Sequence, residues 1–262
     1  MSKFYLIDSH CHLDFKVFDD DRADVLARAR ENNITDIIIP GVSTQNWPDI
    51  QTLCEQNKNL HPCYGLHPYW VNQHDENDLE KLKQQVVTNR CVAIGECGLD
   101  YRPEQADKKK QLHFFEAQLD IALENNLPVV IHSVRATEDI IKQLRARPGL
   151  RGMVHSYSGS YEQAKQLIEL GFLISLGGAI TYERAHKSHH LAGQLPLSSL
   201  LIETDAPDQP DASHTSERNE PAYLVETFNV LCKLRKEEKE EIAQQTSLNA
   251  KALFNLNQPP IW

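Results

Sequence analysis

Six side chains of types that bind divalent metals come at or just beyond the ends of short apolar runs. His10 and His12 flank Cys11 after Phe4–Ser9, Glu96 follows Val92–Gly95, and His132 follows Pro128–Ile131. His155 follows Gly152–Val154, and Asp205 comes just after Leu200–Glu203. In extended backbone, residues i and i+2 share a face, so both imidazoles of His10-Cys11-His12 can address one ion while Cys11 faces away. A lone His-x-His is weak evidence. Its recurrence as single His, Glu or Asp residues at strand ends is stronger. Buried imidazoles and carboxylates carry a large desolvation cost unless paired or coordinated, so the set points to a metal centre. The chemistry expected there is hydrolysis by a metal-activated water, with no need for a Ser or Cys nucleophile.

Eight apolar runs are expected as strands: Phe4–Ser9, Asp36–Pro40, Pro62–Leu66, Val92–Gly95, Pro128–Ile131, Gly152–Val154, Phe172–Leu176 and Leu200–Glu203. They recur at roughly the spacing of one βα unit. Runs such as ITDIIIP and LPVVIH are almost continuously apolar, as in parallel strands covered on both faces. Between them lie amphipathic stretches such as Asp21–Asn32 and Lys109–Asn125, with helix-ending signals at Asn32-Asn33, Asn125-Asn126 and Gly171. The expectation is an α/β chain forming a TIM-type (β/α)₈ barrel as a single domain over residues 1–262. An open doubly wound sheet uses the same units. The barrel is preferred because it alone gathers strand ends from the whole chain into one ring. The longest irregular stretch, residues 205–221, falls after the last strand. The charge run Lys233–Glu241 is expected to be a solvated helix surface.

The 27 Lys and Arg against 37 Asp and Glu give a net charge of −10, so no global attraction to nucleic acid or anionic membranes is expected, only local basic patches. The N-terminal stretch has no secretory pattern, and no run approaches ~18 apolar residues. The six cysteines form no Cys-x-x-Cys pair and read as reduced thiols. A cytoplasmic protein without a membrane or an obligate protein partner is expected.

The motifs together resemble the TatD-type metal-dependent deoxyribonucleases, a branch of the amidohydrolase-like barrel superfamily. They run from Ile7-Asp8-Ser9-His10-Cys11-His12-Leu13-Asp14 through Gly65-Leu66-His67-Pro68, Gly95-Glu96-Cys97-Gly98-Leu99-Asp100 and Val154-His155-Ser156-Tyr157-Ser158-Gly159. They continue with Glu203-Thr204-Asp205-Ala206-Pro207 and Arg218-Asn219-Glu220-Pro221, so the resemblance covers nearly the whole chain. It departs at His132-Ser133-Val134-Arg135, where the family often reads His-Ser-Arg or His-Cys-Arg, and at Ser156 and Tyr157.

The resemblance implies two divalent ions per chain, with Zn, Mn and Mg as the candidate metals. One would be held by His10, His12 and Asp205 and the other by His132 and His155, with Glu96 bridging. Asp205 and Glu96 are the catalytic candidates, and the implied substrate is DNA. Alternatives are an ester or amide hydrolase (an aminoacyl-tRNA ester, for example), a hydrolase of small phosphodiesters, or a metal-binding barrel without turnover. His67, Glu203 and Arg135 are candidates to touch substrate or orient a ligand, and Asp14 and Asp100 are weaker ones. Cys97 is expected to pack. His61, His74, His113, His186, His189, His190 and His214 lack motif context and are expected at the surface or in loops.

Overall fold

Eight parallel strands follow one another around a barrel in chain order in this computed structural model, which describes residues 4–105 and 107–256. They are β1 Leu6–Asp8, β2 Ile34–Pro40, β3 Leu60–Tyr64, β4 Ala93–Asp100, β5 Val129–Val134, β6 Gly152–Val154, β7 Phe172–Leu176 and β8 Leu200–Ile202. Seven parallel ladders join consecutive strands. The ring closes where Ser9 N–H donates to Ile202 O (3.1 Å) and Asp205 N–H donates to His10 O (2.9 Å).

Parallel neighbours need a crossover, and helices supply it. They are α1 Arg22–Glu31, α2 Trp47–Gln56, α3 Glu76–Thr88, α4 Lys108–Glu124, α5 Thr137–Arg145, α6 Tyr161–Glu169, α7 His186–Gln194 and α8 Leu224–Leu234. A further helix, α9 Lys239–Phe254, follows α8. Left-handed backbone at Asn33, Asn126 and Gly171 turns the chain out of α1, α4 and α6, as their sequence signals suggested. None of the described helices is long and apolar enough to cross a membrane.

The core has two parts. Between strands and helices lies a large apolar layer. Inside the barrel, Ile7, Ile38, Cys63, Ala93, Val130, Met153 and Leu201 point inward from seven strands, with Leu173 of β7 at the edge. Ala250, Leu253 and Phe254 of α9 close this lumen from below. Two residues further along several strands the inward side turns polar, at Ser9, His132, His155, Ser175 and Glu203. A period of two therefore carries the apolar lumen into the candidate site.

Several boundaries differ from expectation. β1 is shorter than Phe4–Ser9, so His10 and His12 lie beyond it, tied in by Cys11 N–H to Ile38 O and His12 N–H to Ala206 O. β4 runs on to Asp100, which places Glu96 inside a strand. The β4–β5 register breaks between Ile94 and Cys97. Gly95 there has φ +151°, and a Cβ on it would lie 2.7 Å from Val130 Cβ. Only glycine fits this irregularity, which turns Glu96 toward the barrel axis. The Lys233–Glu241 run is not one helix surface. It straddles the break between α8 and α9, where Arg235 donates to the carbonyls of Ala192 and Leu195 at the C-terminal end of α7.

Candidate metal centre

Glu96 stands at the centre of five imidazoles. Its Oε2 lies 3.2 Å from His10 Nε2 and 3.3 Å from His12 Nε2. Its Oε1 lies 2.9 Å from His132 Nδ1, 2.9 Å from His155 Nε2 and 3.0 Å from His67 Nε2. One carboxylate thus faces two groups of ring nitrogens, one with each oxygen. Asp205 Oδ1 joins the first group, 3.3 Å from His10 Nε2 and 3.6 Å from His12 Nε2. The barrel brings together all six residues expected from the sequence.

The spacing tests whether ions fit. Around a tetrahedral ion with bonds of about 2.0–2.1 Å, neighbouring ligand atoms stand about 3.3–3.4 Å apart. The His10–His12 nitrogen separation is 3.3 Å, and the edges to Glu96 and Asp205 are 3.2–3.6 Å. The second group is smaller: Glu96 Oε1, His132 Nδ1 and His155 Nε2, with the two nitrogens 3.2 Å apart. Three protein ligands with an open side are the usual form of a catalytic site. His10 Nδ1 and His12 Nδ1 are buried without hydrogen-bond partners among the described residues. The donor set fits two divalent ions.

Electrostatics agree with this reading. Burial opposes charge on His12, but the Glu96 and Asp205 carboxylates outweigh it and lift its pKa to about 9. Burial would raise the Glu96 carboxyl, yet His67, His155 and His10 draw it well below the usual range. Without a cation, protons on imidazoles balance the carboxylates. A divalent ion does the same work with shorter bonds.

His67 behaves differently from the other four. Its Nδ1 accepts the Tyr69 N–H at 3.0 Å, so the ring proton sits on Nε2, which points at Glu96 Oε1. A nitrogen that carries its proton has no lone pair for an ion. His67 is a neutral donor at the edge of the cluster, with its pKa held down at about 4 by burial. Glu203 Oε1 accepts the Ser156 N–H at 2.6 Å and lies 3.4 Å from His155 Nδ1, so it steadies that ring from behind. Asp100 does the same for His132, with Oδ2 3.3 Å from Nε2, and is itself held by Arg102. Asp14 accepts from Asn46 and lies near enough to His12 for each to act on the other's charge. Arg135, in left-handed backbone at φ +54°, stays out of the cluster and lines a neighbouring cavity. Cys97 packs in the core.

Two of the histidines expected at the surface or in loops are buried, His61 in β3 and His74 in a loop. His61 lies between Asp36 (2.7 Å) and Arg90 (2.5 Å), and His74 Nε2 donates to His67 O at 3.2 Å. Both satisfy their polar atoms locally, which burial permits.

Gln209 went unnoticed in the sequence. Its amide donates to Asp205 Oδ2 at 2.5 Å and accepts from Ser156 Oγ at 2.5 Å. It bridges the ends of β8 and β6 across the mouth. Asp205, Gln209 and Ser156 all have left-handed backbone, a concentration of strain typical of functional sites. A glutamine in an irregular loop carries no motif signal.

A family model described as TatD related DNase matches residues 7–255. The chain is 38% identical over 253 residues to "Uncharacterized metal-dependent hydrolase YjjV" of Escherichia coli K12, covering 95% of this chain and 98% of the relative. It is 33% identical over 254 residues to "Uncharacterized metal-dependent hydrolase YabD" of Bacillus subtilis, covering 96% and 100%. The crystal structure of YjjV superposes with a TM-score of 0.92, over 95% of this chain and 98% of that one. A TatD family hydrolase from Entamoeba histolytica, 22% identical with a TM-score of 0.84 over 97% and 99%, shares the fold.

Proposed function

This chain belongs to the TatD family of metal-dependent hydrolases, and from that premise we propose that it is a deoxyribonuclease, cleaving phosphodiester bonds of DNA by a water activated between two divalent ions. The observation that carries the proposal is the split of Glu96 between two groups of ligand atoms beneath an open mouth. Ions held there would lower the pKa of a water and draw charge from a phosphoryl oxygen. His10, His12 and Asp205 would hold one, His132 and His155 the other, and Glu96 both.

The side chains supply the rest. Asp205 lies against the first group and is the carboxylate placed to take the proton of the attacking water. His67 donates its Nε2–H to Glu96 Oε1 and so fixes the orientation of the central carboxylate. A groove of about 770 Å³ opens beside them. Phe15 and Trp70 line it, and both pack on site histidines: Phe15 stacks on His12 at 4.7 Å, and Trp70 meets His67 edge-on at 5.2 Å. Aromatic walls of this kind suit a planar base next to the scissile phosphate.

The test is a cleavage screen with Mg²⁺, Mn²⁺ and Zn²⁺ over single-stranded DNA, duplex DNA, an aminoacyl-tRNA ester and bis(p-nitrophenyl) phosphate. DNA cleavage is expected, with turnover at saturating metal falling by ~10²–10⁴ in Asp205→Asn, which keeps the ion held by His132 and His155 and binds the other more weakly. His10→Ala should lose metal instead. Turnover of the ester alone would replace the proposal with the ester-hydrolase reading.

A further inference from the structure

On the opposite side of the metal centre from the aromatic groove lies a second cavity, of about 510 Å³. Its walls come from the ends of the strands that carry the second ligand group. Tyr101 follows Asp100, Ser133 follows His132, and Ser158 lies three residues after His155. Three cations line it, Lys108, Arg135 and Lys187, each from a different connection around the rim. Two carboxylates line it as well, Glu138 and Asp139, each held by a neutral donor that fixes it without removing its charge. Glu138 accepts from the Gln163 amide, and Asp139 accepts from the Tyr101 hydroxyl.

The cations behave otherwise. Lys108 Nζ sits 4.0 Å from the centre of the Tyr101 ring, Lys187 Nζ donates to Ser158 O at 2.7 Å, and Arg135 points from left-handed backbone. Among the described residues, none of the three forms an ion pair. The three cations outnumber the two carboxylates and none is paired with one, so the cavity keeps a net positive charge in a chain of net charge −10, which favours an anion there. The start of α5 adds to it. Its N-cap, Ala136, supplies no side-chain acceptor for the first backbone N–H groups, and Ala136 and Thr137 line the cavity.

We infer that this cavity is a phosphate subsite, which takes a phosphate of the substrate other than the one hydrolysed. The substrate then spans at least two phosphates, the reacting one over the ions and a neighbour held by Lys108, Arg135 and Lys187. This rests on the phosphodiesterase reading for its position in the reaction, though not for the binding of phosphate itself.

The variants are Arg135→Asn, because Asn tolerates left-handed backbone, and Lys187→Gln on an exposed helix. Wild type and the double variant are compared on a thymidine dinucleotide with one phosphate and on the same dinucleotide carrying an extra 5′ or 3′ phosphate. In wild type, one of the two added phosphates should lower KM by on the order of tenfold at constant kcat. The double variant should lose that gain, and its salt dependence of log KM should flatten by roughly 0.7, the share of one phosphate on a single strand. A wild-type enzyme indifferent to both added phosphates, or a variant that keeps the preference, overturns the subsite. If wild type cleaves no phosphodiester at all, it is the proposed function that fails. Pyrophosphate titrated into chelator-treated protein then decides the cavity. Binding weakened at least tenfold in the double variant sustains it, while equal binding, or none in wild type, overturns it.

Discussion

The Asp205 carboxylate is gripped at both oxygens, by the imidazole pair at Oδ1 and by the Gln209 amide at Oδ2. The amide leaves Oδ1 as the oxygen free to meet an ion, and Ser156 fixes which way that amide points. Gln209→Leu should therefore weaken metal binding by ~10-fold or more, the usual effect of losing a hydrogen bond behind a ligand, with little change in melting temperature. Calorimetric titration with Mn²⁺ measures it, and an unchanged affinity would show that Asp205 needs no such support. His12 contributes to the pH behaviour of the metal-free chain. Its folded pKa of about 9 exceeds the ordinary 6.5, so its contribution to stability is full below 6.5 and is lost as pH rises through about 9. Urea melts of chelated protein should accordingly show lower stability at pH 9.5 than at pH 6. Metal uptake should displace the same proton, so affinity should climb with pH up to about 9.

Among the connecting elements, the irregular 205–221 loop matters most. It has no ladder, yet its backbone is pinned. Asn219 Nδ2 donates to Thr204 O at 2.8 Å and to Asp208 O at 2.7 Å, and its side chain is buried. Tyr182 OH donates to Pro210 O, and Ala212 N–H donates to Thr181 Oγ1. Gly178 lets the loop pass close by, since a Cβ there would lie 2.7 Å from Gln209 O. Asn219→Ala leaves two carbonyls without their donor, and a destabilisation of ~1–3 kcal/mol is expected. Because those carbonyls flank Asp205 and Gln209, turnover should fall further than stability alone explains. Denaturant melts alongside kcat separate the two effects.

Across the whole molecule, metal and fold should be coupled, because the ligands come from β4, β5 and the segments after β1, β6 and β8. An ion holding them together binds the native barrel and not the unfolded chain. At ~100 times its dissociation constant, such an ion adds ~2.7 kcal/mol. Thermal melts with and without a strong chelator should differ by several degrees. An unchanged midpoint, with metal removal confirmed by elemental analysis, would uncouple site from fold. The acidic surface should also keep any DNA contact local, with a shallow salt slope of about 0.7–0.9 per phosphate contacted.

The sequence by itself determined the strand count, the parallel arrangement and the six candidate ligands. Those depend on local signals: continuous apolar runs such as Ile37–Pro40, helix stops at Asn33 and Asn126, and metal-binding types at five of the strand ends. What it left open were contacts between residues far apart in the chain. Gln209 meets Ser156 across 53 residues, and Lys108, Arg135 and Lys187 come from three separate connections. His67 carries the same imidazole as its neighbours, and only the Tyr69 N–H on its Nδ1 makes it a donor rather than a ligand. Glu96 was legible as a residue, but its turn toward the axis depends on how Gly95 packs against Val130 of the next strand. Residue type is written locally. Which way a polar atom points, and which proton it keeps, is set by partners that only the closed barrel supplies.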